Sequence, residues 1–137
     1  MDIKNYPILP KYVGVVNIGI VNNWLEKVEN EKYKRLDHLS CSDYFLQQNP
    51  KWIPLTDMCL KAANEWVKTI GYDIDLFCTS AWVNKYSPGD YAPDHRHENS
   101  FVSGCYYFED SSGISFSEYQ PNFENILHIP KARPETF

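Results

Sequence analysis

Near Asp75 the hydrophobic pattern of this chain changes period, and that change constrains the fold more than any other feature. Upstream, apolar residues recur at helical spacing. Val21, Trp24, Leu25 and Val28 fall at i, i+3, i+4 and i+7, with Glu26, Lys27, Glu29, Glu31 and Lys32 on the other face. A second, clearer stripe comprises Leu55, Cys59, Ala62, Ala63, Trp66 and Ile70. Pro54 suits a first helical position, and Gly71 stands where a C-terminal cap belongs. Residues 42–50, between the stripes, read as a turn or short irregular segment. Downstream, residues 76–86 are rich in Phe, Thr, Trp, Val and Tyr, and Ser87-Pro88-Gly89-Asp90 then interrupts them with turn chemistry. Residues 102–108 form a second strand-like run and 114–119 a third. Beyond Pro121, Pro130 and Pro134 argue for loop. A helical preface over about 1–72 and a β-rich part over about 73–137 predict one α+β domain, its helices covering one side of an antiparallel sheet or barrel.

Composition narrows the class of function. With 137 residues, 43% hydrophobic and 23% charged, the chain is long enough to bury one core and is globular in character. Its net charge of −5 comes with no basic block, so it matches a nucleic-acid backbone poorly. The start, MDIKNYPILP, has no apolar signal core, and no stretch reaches the length of a membrane span; both point to the cytoplasm. Cys41, Cys59, Cys78 and Cys105 are scattered without a CxxC pair, which fits buried free thiols better than disulfides or zinc ligands.

The stretch from Trp82 to His97 carries the chemistry. Strand alternation puts Trp82, Asn84 and Tyr86 on one face. By the same parity His95 and His97 point together, while Asp94, Arg96 and Glu98 point away. Two imidazoles two residues apart can converge on one metal ion. A pair of surface histidines on a polar loop is the usual reading of an isolated HxH, but here the pair follows a Pro-Gly turn and a polar-aromatic strand, which favours the metal.

The spacing Asn84-x-Tyr86-x-Pro88-Gly89-x5-His95 resembles the motif of AlkB-like Fe(II)/2-oxoglutarate dioxygenases. The wider pattern runs Ser80-Ala-Trp82-Val-Asn84, Pro88-Gly89-Asp90, His95-x-His97 and Ser103-Gly104-Cys-Tyr106-Tyr107. It is more similar to the 2OG-Fe(II) oxygenases common in bacteria and their phages, which read SWVN…PGD…HxH…SGVYY. Ser42-Asp43-Tyr44, Asn49-Pro50 and Leu55 also fit that group's helical preface. The resemblance implies a double-stranded β-helix (jelly roll) behind N-terminal helices. It further implies Fe(II) and 2-oxoglutarate as cofactors, with oxidation of a C–H bond coupled to decarboxylation of the oxo-acid to succinate. His95 matches the first ligand of the 2-His-1-carboxylate triad. Asn84 and Tyr86 match positions that hydrogen-bond 2-oxoglutarate.

Two departures from the family pattern set further expectations. His97 stands where the family usually has Asp or Glu, which raises a three-histidine centre as an alternative, one that need not use 2-oxoglutarate. The family's later strands carry a distal histidine and an arginine for the distal carboxylate; here His128 and Arg133 are the late candidates, so His95, His97 and His128 form the expected metal set. The chain reads as a truncated, incomplete barrel with open strand edges that a second copy could cover. A second alternative follows, an inactive oxygenase fold kept as a binding or structural protein. The substrate, small molecule or protein, is not legible.

Overall fold

In the computed structural model the described residues are 3–8, 11–19, 23–109, 113–120 and 123–129. They form an α+β structure with two helices and small antiparallel sheets. The chain divides into two compact units, Val21–Ser103 and Met1–Ile20 with Gly104–Phe137.

The chain opens not with helix but with a hairpin. Strands β1 (Ile3–Ile8) and β2 (Lys11–Val16) pair antiparallel, from Ile3 opposite Val16 to Ile8 opposite Lys11. The helical preface expected from residue 1 is corrected here. Tyr12, Val13, Val15 and Val16 are β-formers, and Pro7 is tolerated because a two-stranded sheet is all edge. Helix α1 (Trp24–Glu29) is shorter than its stripe. It follows Asn23, held at φ 74°, and buries Trp24 and Val28 one turn apart, while Leu25 stays 46% exposed.

Strands β3 (Lys34–Arg35) and β4 (Ser40–Cys41) form a tight hairpin, closed by Leu36 N–H donating to the Leu39 carbonyl at 2.8 Å. After a 3-10 turn at Leu46–Gln48, helix α2 (Ile53–Thr69) carries the core of the Val21–Ser103 unit. Pro54 lies in its first turn. At its end Gly71 takes φ +93°, Tyr72 N–H reaches the Val67 carbonyl and Gly71 N–H the Lys68 carbonyl. This is a Schellman cap, where a left-handed glycine satisfies the last carbonyls. Leu55, Ala62, Ala63 and Val67 are buried, and Trp52, just before the helix, is 1% exposed and stacks on Trp24 at 5.5 Å. Glu31 fastens this layer by accepting from the Trp52 indole at 2.6 Å and from Lys51 at 3.1 Å. Burial alone would raise the Glu31 pKa, but the bonds from Trp52, the Lys32 amide and Lys51 hold it below the usual value.

The strand expected over 76–86 is mostly absent. Only β5 (Asn84–Lys85) joins a ladder, against β4, giving the order β3-β4-β5. The residues before it run extended, but other groups take their hydrogen bonds. Asn64 Oδ1 accepts from Leu76 N–H, Gln47 donates to the Thr79 carbonyl, and Ser42 Oγ accepts from Val83 N–H. A single parallel bridge joins Ala81 to Phe45. The strand expected over 102–108 is likewise not formed; there Tyr106 donates to the Gly19 carbonyl at 3.2 Å.

Strand β6 (Ile114–Gln120) matches the third run. It pairs antiparallel with β7 (Phe123–Ile129), from Ile114 opposite Ile129 to Gln120 opposite Phe123. The reading of loop beyond Pro121 is therefore corrected: seven further residues are strand. Among the described residues no helix is long and apolar enough to cross a membrane.

Candidate metal and co-substrate site

The β3-β4-β5 sheet provides the floor of the site. Cys41 pairs with Asn84 across β4 and β5, so the two share one face. Ser80 and Trp82 precede Asn84 at alternate positions and point the same way, while Val83 between them turns into the core at 7% exposure. With Leu36, Leu39, Tyr44 and His97 these residues line an open pocket of about 340 Å³. The alternation expected for Trp82 and Asn84 thus holds without a continuous strand. Tyr86, one alternation further on, is 49% exposed and is not part of the pocket wall. Lys85 turns the other way, its ammonium 5.9 Å from the Tyr33 ring.

A chain of rings crosses this pocket. Tyr44 lies 5.3 Å from Trp82, Trp82 5.5 Å from His97, and His97 5.0 Å from His95, the last pair edge-on. Imidazoles on adjacent positions of one metal, with bonds of about 2.1 Å, put their centroids roughly 4.5–5.5 Å apart. The His95–His97 separation falls in that range, although both residues sit in an exposed loop and not on a strand.

His95 has its tautomer set locally. Its Nδ1 lies 2.7 Å from the Pro93 carbonyl, which can only accept, so Nδ1 carries the hydrogen. In the neutral ring Nε2 then keeps the free lone pair that a metal needs, the usual carbonyl–imidazole arrangement behind a ligating histidine. Asp94 and Glu98, the nearest carboxylates in sequence, are exposed. Among the described residues no group of three or more His, Cys, Asp or Glu is gathered as a metal site. The ring separation of the two histidines is the one a shared metal would require, and the described residues do not supply a third donor. His128 belongs to β7, opposite Ser115, but its side chain lies outside the described residues, as does Arg133 altogether.

The Pro-Gly-Asp segment delivers this loop. Ser87 to Asp90 form a type II turn, with Asp90 N–H donating to the Ser87 carbonyl at 2.9 Å and Gly89 at φ +91°, a conformation that favours glycine. Asp90 is bound bidentately by Arg35 of β3 at 2.6 and 2.7 Å and accepts the Ser87 amide at 2.8 Å. The Arg35 guanidinium, then the Ser87 amide, pull the Asp90 pKa down to about 2. Burial pushes the Cys41 thiol in the pocket wall up, away from the thiolate form.

The model of a family described as "Putative 2OG-Fe(II) oxygenase" matches residues 80–135. That match supports the family assignment drawn from the motif. It begins at Ser80 in the pocket wall, takes in Trp82, Asn84, the Pro-Gly-Asp turn, His95 and His97, and runs on through β6 and β7 of the other unit. The 2OG-Fe(II) oxygenase name carries iron and 2-oxoglutarate with it. Neither curated proteins nor solved structures gave a match.

Sequence reasoning singled out Asn84, His95 and His97, of which Asn84 and His97 line the pocket, but did not single out other parts of its wall. Tyr44, Leu36, Leu39 and Cys41 carry no local mark of a site. Asp90 could have been singled out as the acid of the Pro-Gly-Asp motif; its partner Arg35, 55 residues away, had no signal at all.

Proposed function

We propose that this chain is an Fe(II)- and 2-oxoglutarate-dependent oxygenase that hydroxylates a C–H bond of its substrate. The observation that carries the reading is the His95–His97 pair, edge-on at 5.0 Å beside Asn84's pocket, inside the family-matching stretch. His95 Nε2 and His97 would hold the iron, and His128 is the third donor in this reading. Asn84 and Tyr86 would hydrogen-bond 2-oxoglutarate, Asn84 from the pocket wall. When bound, Fe(II) with 2-oxoglutarate supplies O2 activation, the oxo-acid leaving as succinate and CO2. This chain's own residues orient the donors: the Pro93 carbonyl fixes the His95 tautomer, and Trp82 and Tyr44 wall the open pocket beside His97.

The reading extends to an incomplete jelly roll in the β-rich part of the chain and to a cytoplasmic setting, in a bacterium or a phage-infected one. Each strand of β1-β2 and β6-β7 has a free edge among the described residues, where a second copy could pair. A three-histidine centre that does not use 2-oxoglutarate is the second reading, favoured by His97 in the carboxylate position. Succinate production from 2-oxoglutarate with added Fe(II) separates them. The first reading requires turnover that falls at least a hundredfold in His95→Ala and in His128→Ala. Stoichiometric iron with no oxo-acid consumption would support the second.

A further inference from the structure

The histidine loop has no scaffold of its own. Between Tyr91 and Ser103 there is neither helix nor strand, and its residues are almost all exposed. Two adjacent residues before it are nevertheless fastened to the sheet. Asp90 takes both forks of Arg35, a bidentate geometry in which the Asp90 side chain is 8% exposed and that of Arg35 54%. Tyr91 N–H donates to the His38 carbonyl at 3.0 Å, with the two rings 4.5 Å apart.

The placement of this fastening matters. Arg35 is on β3 and the Pro-Gly-Asp turn follows β5, so the ion pair joins the two outer strands of the three-stranded sheet across β4. Arg35 shares its cross-strand row with Ser40 and Lys85, opposite in parity to the row of Cys41 and Asn84. Neither Arg35 nor Asp90 lines the pocket. We infer that Arg35 and Asp90 are positioning residues: a clamp, acting from the face away from the pocket, that fixes where the loop starts and so holds His97 against Trp82 and beside His95. This rests on the metal reading only for its consequence, not for the clamp itself.

Asp90→Asn is the informative variant, because an amide oxygen can still accept the Ser87 N–H while the charged fork is lost. Arg35→Lys is its counterpart, keeping the charge without two parallel bonds. Two measurements on the full chain read the outcome: {1H}–15N NOE values for residues 94–98 without metal, and a Co(II) titration followed by visible absorption. Asp90→Asn should lower the loop NOE values, leave those of the second helix unchanged, and weaken Co(II) binding about tenfold; Arg35→Lys should fall between it and the parent. If the parent binds no Co(II) but the loop NOE values drop as expected, the clamp stands and the metal reading fails. Unchanged NOE values in Asp90→Asn would overturn the clamp. So would a loss spread equally over the second helix, which would make the pair merely structural.

Discussion

The layer around α2 and the loop bearing His95 and His97 belong to the same compact unit but are held by different means. The first is held by burial: Val67 is fully enclosed, Trp52 nearly so, and the helix is capped at its end by Gly71 and Tyr72. The second is held by directed contacts, among them the Arg35–Asp90 pair, the Tyr91–His38 bond and the Trp82–His97 and Tyr72–Phe101 ring contacts. Burial tolerates no loss of volume but says little about orientation; directed contacts contribute little stability and set geometry. Stability and site geometry should therefore be separable by mutation.

The largest effect belongs to the core. Trp52→Ala should cost about 3–5 kcal/mol, enough to unfold most of the unit, because it opens a cavity and strands Glu31 without the indole donor. Urea denaturation followed by far-UV circular dichroism measures it; a cost below about 1 kcal/mol would break the contrast. His95→Ala and His97→Ala should change the same midpoint by no more than about 0.5 kcal/mol, as exposed positions do, while removing the site. A large destabilisation by either would mean that the loop is packed more like the helix layer.

The sharpest contrast in kind is a pH effect. Asp90 is held at about 2 in the fold and returns toward about 4 when unfolded. Its contribution is therefore fully present above about pH 4 and is lost as pH falls toward 2. Asp90→Asn should flatten that acid limb by removing the contribution present above about pH 4, so that stability near neutrality falls by a small amount while stability near pH 2 stays close to the parent. Unchanged stability at pH 7, or a loss as large at pH 2 as at pH 7, would contradict this assignment.

Legibility in the sequence follows the same division. Helix α2 was readable because an apolar stripe of helical period runs between Pro54 and Gly71, so burial pattern and caps agree. The 3–16 hairpin was not, since Pro7, Lys4 and Asn5 obscure alternation in a strand whose two edges make such residues acceptable. Residues 76–83 have strand composition and run extended, but composition cannot tell that Asn64, Gln47 and Ser42 would replace a neighbouring strand. At the site, parity grouped Trp82 with Asn84, both in the pocket wall, whereas Tyr86, beyond the end of the ladder, does not line it. The two histidine rings do lie together, in an irregular loop where the Pro93 carbonyl and Trp82, and not strand parity, set their orientation.

The central claim is that His95 and His97 make an iron site that also takes 2-oxoglutarate. Anaerobic addition of Fe(II) and then 2-oxoglutarate to the 137-residue chain, followed by visible absorption, tests it most directly. The account predicts a metal-to-ligand charge-transfer band that saturates with one iron per chain and is absent in His95→Ala and His97→Ala. Iron binding that survives both substitutions, or an oxo-acid band that does, would contradict it.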